Sequence, residues 1–149
     1  MVDQIISVQG SGSDMKFKSS AFEQMRQHLE NAYPYEGCGI MLGRDNTILN
    51  IVEGTNIKQE RREDRFLLDP SDILKAEKYA KQNNVEILGF YHSHPDHPAK
   101  PSITDLENAW EGYYYIIVSI DKGKIGKLGL YRLSEKSNEF IEETINIED

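Results

Sequence analysis

The run Val85-Glu-Ile-Leu-Gly-Phe-Tyr91 is apolar, β-branched and aromatic, and it leads without interruption into His92-Ser93-His94-Pro95. Such a run predicts a buried strand, and a strand that ends in His-x-His narrows what can be built around it. Side chains alternate across a strand, so His92 and His94 project to one side, about 7 Å apart along the backbone, while Ser93 points to the other. Two imidazoles at that spacing can tilt onto one cation. Imidazole nitrogen and carboxylate oxygen are the usual donors to a catalytic zinc, which takes three protein ligands and keeps one position for water or substrate. Asp105 is the natural third ligand.

The loop from Pro95 to Pro101 holds three of the five prolines in the chain. Each fixes its own φ and restricts the preceding residue, so less chain entropy is lost in bringing a distant ligand to the metal. Ser102-Ile103-Thr104-Asp105 then opens a short helix running toward Trp110. Taken alone, a serine followed three residues later by an acid reads as a helix cap. Beside His-x-His, an acid in the first helical turn after a rigid loop can face back to the strand end, and ligation becomes the preferred reading. A three-ligand metal still needs a proton carrier. Glu36 is the candidate, set between a predicted helix end and the small, glycine-flanked segment Gly37-Cys38-Gly39-Ile40-Met41-Leu42-Gly43. On composition alone it reads as an exposed loop carboxylate.

Together these residues resemble the JAMM, or MPN-plus, zinc metallopeptidase family. That family pairs a glutamate near the start of its domain with His-x-His-Pro, a serine and an aspartate, which Glu36, His92, His94, Ser102 and Asp105 match. The resemblance extends over the Glu-x-Cys-Gly segment, Phe66-Leu67-Leu68-Asp69-Pro70, the Gly-Phe-Tyr-His-Ser-His-Pro core and the Tyr-Tyr-Ile-Ile-Val-Ser strand after Trp110. It is greatest to the compact prokaryotic branch, which includes peptidases of the CysO-cysteine type. The resemblance implies a substrate that is a ubiquitin-like or sulfur-carrier protein with a Gly-Gly C-terminus, cut after its last glycine. It also implies a single domain over residues 1 to 149, with a cytidine-deaminase-like mixed β-sheet flanked by helices. Zinc chemistry then assigns roles: His92, His94 and Asp105 hold Zn2+, Glu36 takes a proton from water and passes it to the departing amine, and Ser102 donates to the oxyanion.

Element order agrees with an α/β fold. A short strand near Met15 to Lys18 precedes a helix capped by Ser19 or Ser20, with Phe22, Met25, Leu29 and Ala32 at helical spacing. Strands are predicted around Gly39 to Leu42, Ile48 to Glu53 and Arg65 to Asp69. Asp69-Pro70 starts a second helix whose apolar residues are Ile73, Leu74, Ala76, Tyr79 and Ala80. After the metal strand, Tyr113 to Ile120, Leu128 to Leu133 and Phe140 to Ile147 add further strands.

The 149 residues suffice for one core without disulfides or other staples. A formal charge of −8 argues against nonspecific binding to nucleic acid or anionic membrane. Neither a basic leader nor an apolar stretch near membrane length is seen, so the cytoplasm is the expected location. Cys38, the single cysteine, has no partner for an internal disulfide. It reads as a small buried thiol, with a Cys-His nucleophile as a distant alternative. His97 is excluded as a fourth ligand, because it would close the metal to water, and is assigned to the solvated loop or to a supporting contact. His28 reads as a surface or boundary residue. Lys58 to Arg65 reads as a solvated loop from which the family resemblance lets Arg61, Arg62 or Arg65 reach a carrier's tail.

Two other classes compete. A noncatalytic MPN scaffold module is disfavoured by the intact ligand set. A zinc deaminase needs His-x-Glu with Pro-Cys-x-x-Cys, which a single cysteine cannot supply.

Overall fold

The computed structural model describes residues 14–58, 60, 62, 67–134 and 136–149. Its elements in chain order are β1 (Met15–Lys18), α1 (Ser19–Ala32), β2 (Cys38–Arg44), β3 (Thr47–Glu53), α2 (Pro70–Asn83), β4 (Glu86–Pro95), α3 (Ile103–Glu107), β5 (Tyr114–Asp121), β6 (Lys124–Leu133), β7 (Phe140–Glu143) and β8 (Ile145–Glu148). The strands form one mixed sheet in the order β7-β6-β5-β4-β2-β3-β1-β8. Thus β4, which carries His92 and His94, is central, antiparallel to β2 and parallel to β5.

Only Thr144 separates β7 from β8, yet these strands sit at opposite edges of the sheet. One residue spans no more than about 3.6 Å, so the sheet must curl until its edges approach. The carbonyl of Thr144 accepts from Met15 N at 3.3 Å, and its hydroxyl donates to Asp14 at 2.6 Å. Inside the curl, Ala21, Met25 and Leu29 of α1 meet Phe17, Met41, Ile48, Tyr91, Ile116 and Val118. On the other face, Ala76 and Ala80 of α2 cover Ile40 and Leu42, with Phe90 packed alongside. Alternation from Phe90 puts His92 and His94 on the α2 side and Ser93 on the α1 side.

Local expectations survive with three corrections. The N-cap of α1 is Lys18, without a side-chain cap bond, and Ser19 instead donates to Asp149. The backbone there leaves the strand directly into the helix, and the serines already lie inside it. In α1 it is Ala21 that is fully buried, while Ala32 is half-buried at the helix end. In α2, Leu74 and Tyr79 are exposed, because only the stripe through Ile73, Ala76 and Ala80 faces the sheet. Asp69 caps α2 as expected, accepting from Ser71 N at 3.0 Å. Of the strand expected over 65–69, residues 65 and 66 lie outside the described residues, and Leu68 makes a single bridge to Asn56. None of the helices among the described residues is long and apolar enough to cross a membrane.

The seam between β4 and β5 depends on Gly89, since a Cβ there would stand 1.8 Å from the carbonyl oxygen of Tyr114. Neither backbone can yield without breaking the parallel ladder that sets the height of both histidines. Gly89→Ala should therefore cost at least about 3 kcal/mol, the upper end of ordinary overpacking penalties, read as a lowered denaturation midpoint.

Candidate metal centre

β4 continues past Tyr91 through both histidines, which are nearly fully buried. Pro95 then ends the strand, and α3 returns the chain so that Asp105 in its first turn faces the strand end. His92 Nε2 and His94 Nε2 stand 3.2 Å apart. Asp105 Oδ1 is 3.1 Å from His92 Nε2, and Oδ2 is 3.2 Å from His94 Nε2. These contacts use both Asp105 oxygens, and one ligand atom from each of the three residues lies within 4.8 Å of the other two. A tetrahedral zinc bonds such donors at about 2.0–2.2 Å, so the two imidazole nitrogens and an Asp105 oxygen are close enough to converge on one ion. Among the described residues, this is the one group of three His, Cys, Asp or Glu side chains arranged to hold a metal.

Capping and a place in the cluster that could hold a metal are compatible in the structure, because Asp105 makes the cap and also reaches both imidazoles. Ser102 Oγ accepts from Asp105 N at 3.0 Å, and Asp105 Oδ2 accepts from Ser102 N at 2.8 Å, a complete capping box. The same carboxylate spans both imidazoles. Burial alone would raise its pKa, but hydrogen bonds from His92 and His94 hold it well below the usual carboxylate range. Burial pushes His92 down. His94 is also penalised by burial, yet its hydrogen bonds to Asp105 and to the Pro98 carbonyl lift it above the ordinary imidazole value.

Glu36 is not the exposed carboxylate its composition suggests: it is buried, with 6 % exposure. Its negative charge contributes to raising both His94 and Cys38, so it lies within electrostatic reach of the triad. The backbone N–H of Glu36 donates to the Arg62 carbonyl at 2.6 Å, and its carbonyl accepts from Asn56 Nδ2 at 3.0 Å. Ser93, facing away from the metal triangle, accepts from Gly37 N at 2.9 Å and so ties β4 to the segment carrying Glu36. Cys38 lies opposite His92 in the β2–β4 ladder. Burial, then the charges of Asp72 and Glu36, push its thiol up to about 12, so it is protonated at neutral pH and cannot serve as a thiolate nucleophile.

Other residues fall as follows. His97 is exposed in the loop and outside the metal triangle. His28 is half-buried, its Nδ1 2.7 Å from the Tyr91 hydroxyl. The guanidinium of Arg62 lies over the Tyr35 ring at 4.6 Å, whereas Arg61 and Arg65 lie outside the described residues. Sequence reasoning missed Asp96. It adopts φ +57° and accepts from the Tyr33 hydroxyl at 2.7 Å and from Lys122 N at 2.8 Å, anchoring the start of the proline loop. A Pro-Asp pair is a turn signal that could have revealed it. Tyr131, which donates to the Ala99 carbonyl at 2.7 Å, carries no such signal.

The family profile described as prokaryotic homologs of the JAB domain matches residues 18–131. A desampylase of Pyrococcus furiosus is 34% identical over 133 residues, covering 85% of this chain and 90% of the relative. A probable TtuB-protein conjugate cleaving protease of Thermus thermophilus is 33% identical over 99 residues, 66% of each chain. A solution structure from Desulfitobacterium hafniense superposes with TM-score 0.79 at 27% identity, covering 91% of this chain and 93% of the other.

The triangle should bind one divalent metal per chain, with His92→Ala combined with His94→Ala abolishing the binding in elemental analysis. Because hydrogen bonds raise His94 above the ordinary imidazole value, a proton competes for Nε2, and metal occupancy is expected to have begun falling by the time pH drops to about 6.5. Full occupancy at pH 5 in a competition titration would contradict this ligand set.

Proposed function

The chain belongs to the prokaryotic JAB-domain family, and from that premise we propose that it is a zinc metallopeptidase cleaving the amide bond that follows the C-terminal glycine of a ubiquitin-like or sulfur-carrier protein. The observation that carries the reading is the buried convergence of His92, His94 and Asp105 on one point, with the buried Glu36 carboxylate within electrostatic reach of His94. Two imidazoles and one carboxylate suit zinc among the common metals and leave a position for water or carbonyl oxygen. Zinc bound there supplies a Lewis acid and brings the pKa of water to about 7.

The remaining chemistry belongs to the chain. Glu36 accepts a proton from the attacking water and returns it to the departing amine, which cannot leave as an amide anion. The hydroxyl oxygen of Ser102 already accepts from Asp105 N, which leaves its own proton to donate to the carbonyl oxygen as negative charge develops there. Glycine on the acyl side suits a scissile bond that must approach a metal walled by the loop from Pro95 to Pro101, and an extended tail can pair along a strand edge. The name of the Thermus thermophilus relative, a protease for TtuB-protein conjugates, supports a protein amine as one leaving group.

Glu36→Gln, nearly isosteric and unable to accept a proton, should retain zinc and fold while hydrolysis falls about a hundred- to ten-thousandfold. Wild-type turnover would remove Glu36 as the base, and parallel loss of metal would make it a structural group.

For substrate class, a carrier ending in Gly-Gly joined to an amino acid or to a protein lysine should be cut after the last glycine, and its Ala-Ala counterpart much more slowly. Intact-mass spectrometry reads both products. Equal rates, or cleavage of unstructured peptides alone, would identify a general zinc peptidase instead.

A further inference from the structure

Beyond the residues that hold metal and move protons, we infer that Tyr131 is a positioning residue whose hydroxyl, by fixing the Ala99 carbonyl, holds the neighbouring Pro98 carbonyl where it locks His94 for metal binding. The inference rests on the metal reading of the triangle. Its physical basis is a pair of consecutive carbonyls gripped from opposite sides. Pro98 O is 2.8 Å from His94 Nδ1, and Ala99 O accepts from the Tyr131 hydroxyl at 2.7 Å.

A carbonyl only accepts, so the Pro98 contact requires a proton on His94 Nδ1. In the neutral ring the lone pair then lies on Nε2, the atom that faces Asp105 and His92. Supporting groups of this kind orient a ligand and fix its tautomer. The Pro98 carbonyl is not part of a helix or a strand and must itself be held. The loop is anchored at its start by Asp96 and at its end by the Ser102 cap. Its middle is backed by a pocket of about 440 Å³, lined among others by His97, Pro98, Ala99, Lys100 and Tyr131, rather than by close-packed side chains. Tyr131 crosses that gap. Its ring is buried on β6, which has strands on both sides, and is tilted against Phe140, so the hydroxyl is delivered from a rigid base.

Tyr131→Phe keeps the ring and removes the grip. The expected result is a thermal midpoint close to wild type, zinc affinity lowered about tenfold or more in chelator competition, and kcat reduced with KM little changed. Long-range 1H–15N spectra of the zinc-loaded protein should show the His94 Nδ1–H as a sharp, exchange-protected signal in wild type and as a broadened, fast-exchanging one in the variant. Phe140→Leu, which disturbs the same ring but spares the hydroxyl, should lower the thermal midpoint and leave zinc affinity and the His94 spectrum unchanged. Unchanged zinc affinity and spectrum in Tyr131→Phe would overturn the inference, as would equal weakening in Phe140→Leu, which would reduce Tyr131 to packing. Failure of the wild type itself to bind zinc would instead remove the metal reading, and this inference with it.

Discussion

Asp105 is the group on which the arrangement depends. Its two oxygens reach His92, His94 and the backbone N–H of Ser102, while its own N–H is taken by the Ser102 hydroxyl. Burying a carboxylate is costly unless it is paired and hydrogen-bonded, and here every partner that compensates the burial also builds the site. One charge therefore closes the start of α3, sets the depth of the loop and supplies the negative pole against which two imidazoles converge. The half-buried position matters as well. It keeps the carboxylate ionised while shielding it enough for its field to act strongly on His92 and His94.

The sheet supplies what a five-residue helix could not. Because β4 has strands on both sides, its end is fixed by two ladders, and the spacing of the histidines is set by backbone geometry rather than by side-chain packing. The remaining freedom is ring rotation. On His94 it is removed by the Pro98 carbonyl, and the loop that carries this carbonyl is kept short of entropy by proline. Fold and site thus share one device: rigid backbone aims the histidines, and a stiff return loop brings the Asp105 carboxylate to them.

Much of this was legible in the sequence because it follows from short-range rules. The alternation on β4 separated His92 and His94 from Ser93, Asp69-Pro70 marked the start of α2, and the Ser-x-x-Asp spacing marked α3. What could not be read was long-range. Nothing local announces that Phe140 to Ile147 divides at Thr144 between the two far edges of the sheet, since that depends on curl accumulated over eight strands. Leu74 and Tyr79 satisfied an apolar count for α2 yet face outward, because composition does not say how wide a stripe the sheet will cover. The burial of Glu36 was hidden for the same reason: it arises from chain distant in sequence closing over it.

That closure links the base to the segment in front of it. Asn56 spans the two, donating to the Glu36 carbonyl while its Oδ1 accepts from Lys58 N and Leu67 N at 3.0 Å each. Backbone bonds run alongside, from Ile57 N to Leu67 O and from Glu36 N to Arg62 O. Glu36 is consequently tied through its main chain to both Asn56 and Arg62. A main chain fixed in this way limits how far the buried carboxylate can move, which is the pre-positioning the proposed proton carrier would need. The same bonds join Asn56, Ile57, Lys58 and Leu67, so that these residues are registered against the main chain of Glu36 by hydrogen bonds.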